Sequence, residues 1–182
     1  MKKFIIPILA SIVVLASCGP SITVSSDYDK NADFASFKTF NFTDEVDKLQ
    51  ISSLNLQRAK DAITAELAKK GVTKASSNPD LLCDIKVRAH MEQSATATTT
   101  GSPYYGAGYR YGWGGGFSTT SVNVENYTVG TVFIDLIDAK KSQLVWQGRG
   151  QKTVDESASA EKREKRINEG IARIFEKYPP KK

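Results

Sequence analysis

The chain predicts an α+β domain, an antiparallel or mixed sheet of about five to seven strands with two helices packed on one face. Three patterns carry this expectation. Apolar and polar residues alternate from Leu81 to Met91, the period of a half-buried strand. Apolar residues recur every three or four positions in two segments, about Ile51–Lys70 and Ser157–Lys177, the period of a helix. Between them, 118–150 is rich in β-branched and aromatic residues and is broken by turn chemistry.

Taken in order, Ser21–Ser26 reads as a short first strand through Ile22 and Val24. Asp27-Tyr28-Asp29 and Asn31-Ala32-Asp33 follow as turn chemistry. Lys38-Thr39-Phe40-Asn41-Phe42 reads as a second strand, and Asp44–Gln50 as an acidic, exposed connection. The first helix places Leu56, Ala59, Ile63 and Leu67 on one stripe, with Ser52 or Ser53 to cap its start and Gly71 its end. Val72-Thr73 reads as a short extended piece before the Ser76-Ser77-Asn78-Pro79 turn.

In the strand from Leu81, one face carries Leu81, Cys83, Ile85, Val87, Ala89 and Met91. The other carries Asp84, Lys86, Arg88 and His90. Three further strands are expected: Ser118–Asn126, then Tyr127–Asp138, apolar on both faces and so central, then Gln143–Gly150. The second helix buries Ile167, Ile171, Ile174, Phe175 and Tyr178, and Pro179-Pro180 stops it. Trp146 is expected as a core anchor against a helix.

The N-terminus carries an address. Lys2 and Lys3 precede an apolar run from Phe4 to Ala16, and Leu15-Ala16-Ser17-Cys18 closes it. This is the layout of a secretory signal, and the terminal cysteine resembles a bacterial lipobox. The run is interrupted by Pro7 and falls short of the roughly 20 apolar residues that span a bilayer. Residues 1–17 are therefore expected as a lipoprotein signal peptide and Cys18 as the lipidated residue, 18–21 being a short tether. A single domain follows over 22–178, with a basic tail at 179–182. Each buried acyl methylene contributes about 0.8 kcal/mol, so several chains hold the protein permanently. No Asp follows Cys18, which by resemblance to enterobacterial sorting points to the periplasmic face of the outer membrane.

Composition narrows the function. The net charge of +5 falls to about +3 once Lys2 and Lys3 are removed, and positive charges are mixed with negative ones, so no nucleic-acid footprint is expected. With Cys18 committed to lipid, Cys83 has no disulfide partner and sits on an apolar face as a small hydrophobe. The single histidine, His90, falls on the opposite face from Cys83, which argues against a thiol nucleophile with a base. Zinc ligands are too few, so no metal and no cofactor are expected. Carboxylates such as Asp80, Asp84 and Asp135 are available for hydrolysis, but nothing in the pattern groups them.

Residues 93–117 differ in kind. Ala-Thr repeats lead into a Gly/Tyr-rich run where the chain's 13 glycines concentrate, together with four of its seven tyrosines. The segment reads as a loop between strands. Tyr104, Tyr105, Tyr109, Tyr111 and Trp113 make it a candidate contact loop, because their rings give large amphipathic surfaces at low rotamer cost. Its glycines do not match a phosphate loop: the third is one place late, at Gly112, and no helix follows.

The segments Gly130-Thr131, Asp135-Leu136-Ile137-Asp138 and Leu144-Val145-Trp146-Gln147-Gly148 form a hairpin pattern. With Asp27-Tyr28-Asp29, Phe37-Lys38-Thr39-Phe40 and Asn78-Pro79-Asp80-Leu81, it resembles the bacterial lipoprotein family known as domain of unknown function 4136. That resemblance implies an envelope lipoprotein with an α+β domain, and it supplies no catalytic residues. Asp135, inside an apolar strand, must be paired or neutralised if buried. Arg149 is a candidate partner after a register offset, since simple hairpin counting sets Asp135 opposite residue 146. The expected role is a non-catalytic binding or scaffolding module, anchored to the membrane through Cys18 and meeting another envelope protein. The alternatives are a small-ligand or lipid-binding protein with a pocket between sheet and helices, or a carboxylate-based hydrolase.

Overall fold

The computed structural model describes residues 22–101 and 118–181. Within them six strands form one mixed sheet in the order β1-β6-β5-β4-β2-β3, with two helices. The strands are β1 (Thr23–Tyr28), β2 (Thr39–Phe42), β3 (Thr73–Lys74), β4 (Leu81–Gly101), β5 (Ser118–Asp138) and β6 (Gln143–Thr153). The helices are α1 (Ser53–Lys69) and α2 (Ala160–Phe175). The expected class therefore stands.

The sheet has one parallel corner. β2 pairs in parallel with β3 and with β4, and α1 makes the crossover that a parallel connection needs. All other pairings are antiparallel. α1 ends in a Schellman motif: Val72 N donates to Leu67 O at 3.0 Å, Gly71 N donates to Ala68 O at 2.9 Å, and Gly71 takes φ of 80°. At the start of α2, Ser159 Oγ accepts from Lys162 N, which satisfies one of the helix's orphan amides.

Both helices cover the same face of the sheet. Strand parity puts Phe40, Phe42, Leu81, Cys83, Ile85, Ile134, Leu136 and Trp146 on that face, and all are buried with Leu56, Ile63 and Leu67 of α1 and Ile171, Ile174 and Phe175 of α2. Trp146 stacks on Phe175 at 5.4 Å between ring centroids and meets Tyr178 edge-on at 5.3 Å. It is the core anchor that the sequence suggests. Neither Trp146 Nε1 nor Tyr178 Oη has a hydrogen-bond partner among the described residues, and burial pushes the Tyr178 phenol up to about 12.

Four local expectations are corrected. Ser118–Asn126 and Tyr127–Asp138 are one continuous strand, and Gln93–Gly101, read as loop, continues β4. The Thr, Ser and Ala residues of Gln93–Gly101 lack the apolar face that signals a strand, yet β-branched threonine fits one well. Asp27 and Tyr28 end β1 instead of turning, because they pair with Gln147 and Trp146. Asp44–Lys48, read as an exposed connection, forms a 3₁₀ turn that buries Val46 completely.

Two glycines of β6 lie directly against side chains of α2. A Cβ on Gly148 would collide with Ile174 Cγ2 and the Trp146 ring, and one on Gly150 would lie 2.8 Å from Ile174 Cδ1. Ile174 is fully buried and has nowhere to retreat. Gly148→Ala is expected to cost about 1–3 kcal/mol by overpacking. In chemical denaturation the double variant Gly148→Ala/Ile174→Ala should lose less than the sum of the two single losses; a Gly148→Ala protein as stable as the parent would remove this contact as a determinant.

Candidate functional site

The second face of the sheet carries no helix among the described residues. The registers lay out its rows. Asp84, Asp135, Gln147 and Asp27 stand side by side; the next row is Lys86, Phe133, Arg149 and Ser25; the third is Arg88, Thr131, Gln151 and Thr23. Lys86, Arg88, Arg149, Ser25 and Asp27 are exposed.

Asp84 and Asp135 face each other on adjacent strands, an arrangement that like charges disfavour. Lys86 resolves it. Its ammonium lies 2.6 Å from Asp135 Oδ2 and 3.3 Å from Asp84 Oδ2, and the Asp135 contact, with the further Asp84 attraction, holds the lysine above its ordinary pKa. Gln147 Nε2 donates to the other Asp135 oxygen at 2.7 Å, so this buried carboxylate has a partner on each oxygen. Thr43 Oγ1 donates to Asp84 at 2.9 Å.

Arg149 is therefore not the partner of Asp135. Val145 is an extra residue on β6, and the resulting bulge between Leu136 and Ile137 shifts the register so that Gln147 opposes Asp135. Arg149 instead opposes Phe133. Its guanidinium lies 5.7 Å from the centre of that ring, and Arg88 from β4 lies 5.6 Å from it. Two arginines from the flanking strands thus rest on one phenylalanine. Neither forms a salt bridge among the described residues, and Arg149 donates to Gln151 Oε1 at 2.9 Å.

This cluster escaped the sequence reading, although one signal for it was present. Phe133 shares its strand parity with Asp135, so one face of the apolar run had to be the face that carries a carboxylate.

The remaining candidates fall elsewhere. Cys18 and the loop residues Tyr104, Tyr105, Tyr109, Tyr111 and Trp113 lie outside the described residues. Cys83 is fully buried, and burial pushes its thiol far up, with the Asp84 and Asp135 charges adding to the shift; such a thiol is no nucleophile. His90 is exposed and bonds Glu92 at 2.8 Å. Among the described residues, no group of three or more His, Cys, Asp or Glu side chains is placed to hold a metal ion, and no helix is long and apolar enough to cross a membrane.

Asp80 does a structural job far from the other two carboxylates. One oxygen accepts from Lys38 N, Thr39 N and Thr39 Oγ1 at 3.0, 3.1 and 3.0 Å, while Thr39 Oγ1 accepts from Asp80 N. This clamps the starts of β2 and β4 in parallel register. Asp29 and Asp138 make comparable turn bonds: Asp29 to Asn31 N and Gln143 Nε2, Asp138 to Lys140 N and Lys141 N. A surface cavity of about 270 Å³ opens here, with Asp29, Asp33 and Asp138 in its wall. Another concavity lies on the outside of α2. Neither lies between the sheet and the helices, where large side chains fill the space.

Structure and site together define an α+β module with one packed face and one solvated face that bears a cationic, aromatic cluster. Residues 24–180 match the family model described as "Domain of unknown function (DUF4136)", and the chain belongs to that family. Among curated proteins none matches. Similar solved structures include a PDZ domain protein from Parabacteroides distasonis, at 18% identity and a TM-score of 0.52 over 88% of this chain and 37% of that one. The chain thus spans little more than a third of that protein, and the likeness shows a shared fold alone. A PelC dodecamer from Paraburkholderia phytofirmans (16% identity, TM-score 0.46, covering 85% of this chain and 95% of that one) and a putative neuraminyllactose-binding hemagglutinin homolog from Helicobacter pylori (8%, 0.35, 79% and 83%) are fainter likenesses that carry no argument.

The Asp80 clamp gives a pH-dependent prediction. Hydrogen bonds from Lys38 and Thr39 hold the Asp80 carboxyl below its usual range, so its contribution is present above about pH 4 and is lost as pH falls through the lowered value. Asp80→Ala is expected to lower stability by about 2 kcal/mol at pH 7. The gap to the parent should close on acidification, as measured by urea midpoints across pH 2–7. A gap that stays constant would contradict the clamp.

Proposed function

We propose that this protein is a non-catalytic binding module, held to a bacterial envelope membrane by acyl groups on Cys18, whose open sheet face receives an anionic group of a neighbouring envelope component. The observation that supports it is the pair Arg88 and Arg149 on Phe133. Guanidinium groups stacked on a ring are already ordered, so less side-chain freedom is lost when they grip a carboxylate or phosphate. Asp135 is held by Lys86 and Gln147, and Asp84 by Lys86 and Thr43, while the exposed Asp27 stands in their row, diagonal to Arg149. The arginines are the groups left to meet an outside anion.

A non-catalytic role is supported by the state of the reactive groups. The buried thiol is unreactive, and the Lys86 ammonium bridges the Asp84 and Asp135 carboxylates. The position of the tether also suits the reading. Thr23 stands in the row of Arg88, so the chain leaves toward Cys18 at the cationic end of the face. The step from Cys18 to Thr23 spans at most about 17 Å, which keeps that end close to the lipid surface. In this reading the surface is the periplasmic leaflet of the outer membrane.

The test is photo-crosslinking in intact cells from Ser25 and Gln151, which flank the two arginines. Adducts are expected from both positions and should fall at least tenfold in an Arg88→Gln/Arg149→Gln variant that keeps its thermal midpoint. Adducts that persist in this variant, or that form equally from Asp61 on α1, would overturn the assignment of this face.

A further inference from the structure

β4 and β5 outrun the rest of the sheet. The last residue of β5 paired with β6 is Val129, and the last bond from that side is Val154 N to Thr128 O. Beyond it the two strands continue as a ribbon from the pair Met91–Thr128 to the pair Gly101–Ser118, about 36 Å at roughly 3.3 Å per residue. No third described strand pairs with either edge. A two-stranded ribbon standing alone is marginally stable in water, and its outward N–H and C=O groups are a template for another strand.

Exposed edges are ordinarily protected by lysine, proline or inward charges. This ribbon has none of them. Gln93–Gly101 contains no ionisable residue and no proline, and 118–128 has Glu125 as its one carboxylate. Glu92 is engaged at the base, where His90 Nε2 lies 2.8 Å from one oxygen and Tyr127 Oη donates to the other at 3.0 Å. The ribbon is also amphipathic. Met91, Val122 and Val124 are 73%, 62% and 54% exposed on the face that, further down, lies under the helices.

We infer that the outer edge of β4 in this ribbon pairs with the same edge of a second copy of the chain, joining two sheets into one. The charge pattern of β4 suits a copy of itself. Its charged half, Asp84–Glu92, precedes an uncharged half, Gln93–Gly101. In an antiparallel pair about a dyad in the uncharged half, the charges of each strand fall opposite uncharged residues of the other or beyond its end. Like charges are never opposed, and the symmetric contact closes as a dimer. Confinement of all copies to one membrane surface through Cys18 would raise their effective concentration.

The test uses the full-length acylated protein. Single cysteines are placed at Ser94, Thr96 and Thr98 of β4 and at Asn123 of β5, in a Cys83→Ala background, and disulfide-linked dimer is measured in the oxidising envelope. Dimer is expected to peak at one β4 position, where the strand crosses its own copy, and to be at least tenfold weaker at Asn123. A Thr96→Lys/Thr98→Lys variant should convert the detergent-solubilised protein from dimer to monomer by light scattering while its thermal midpoint is kept. A monomeric parent, a dimer indifferent to the lysines, or equal crosslinking from Asn123 would overturn the inference. Protection of the ribbon from hydrogen exchange only when lipid vesicles are added to a monomer would also overturn it, in favour of a membrane contact.

Discussion

The seat of Ile174 on the glycines of β6 governs the architecture. Because Gly148 and Gly150 leave no side chain on that side, α2 lies against the backbone of the sheet, and Ile174, Phe175 and Trp146 close over the contact. α1 packs beside α2 on the same face, where it buries Leu56, Ile63 and Leu67 over β2 and β4. The apolar side of the sheet is spent once, on one layer of helices. The reverse side is left to solvent, and carboxylates, lysine, arginines and glutamines line its middle, beside an apolar row of Leu82, Ile137 and Leu144 at one end.

That one-sidedness explains the chemistry of the open face. Asp135 is only 3% exposed, yet it stands on the solvated side, because the long side chains around it form its cover. Lys86 and Gln147 satisfy its two oxygens, and Lys86 also screens Asp84. With the acids taken up, Arg88 and Arg149 settle on Phe133. A conventional apolar residue thus becomes the platform for two cations, and a cluster assembled from three strands presents positive charge outward. Of the sequence patterns that mark the family, all but Gly130-Thr131 reach toward the far end of the sheet, where Asp29, Asp80 and Asp138 close turns and set strand register. They read as the chain's folding punctuation; the arginines are a separate feature.

Much of this was legible in the sequence. Alternation from Leu81 separated Cys83 from His90 correctly, and the helical stripes named Leu56, Ile63, Leu67, Ile171, Ile174 and Phe175 as core. Only half of the ribbon was legible: Ser118–Asn126 read as a strand through Val122 and Val124, whereas the Ala-Thr run of Gln93–Gly101 lacks the apolar alternation by which strands are recognised. The Asp135 partner was missed for a different reason. One extra residue at Val145 moves every later pairing on β6 by a place, and a bulge has no reliable mark in a single sequence. The Arg–Phe–Arg cluster needs that same register, so it became visible only with the pairing in hand.

One face of the sheet is packed under the helices and the other is open to solvent. Thiol labelling reads both in one protein. In Ser25→Cys, the new thiol on the open face should react with a maleimide at nearly the rate of an unstructured cysteine, while Cys83 beneath the helices should react only once denaturant unfolds the chain. Equal protection of the two thiols, or prompt labelling of Cys83 in the native protein, would contradict the account.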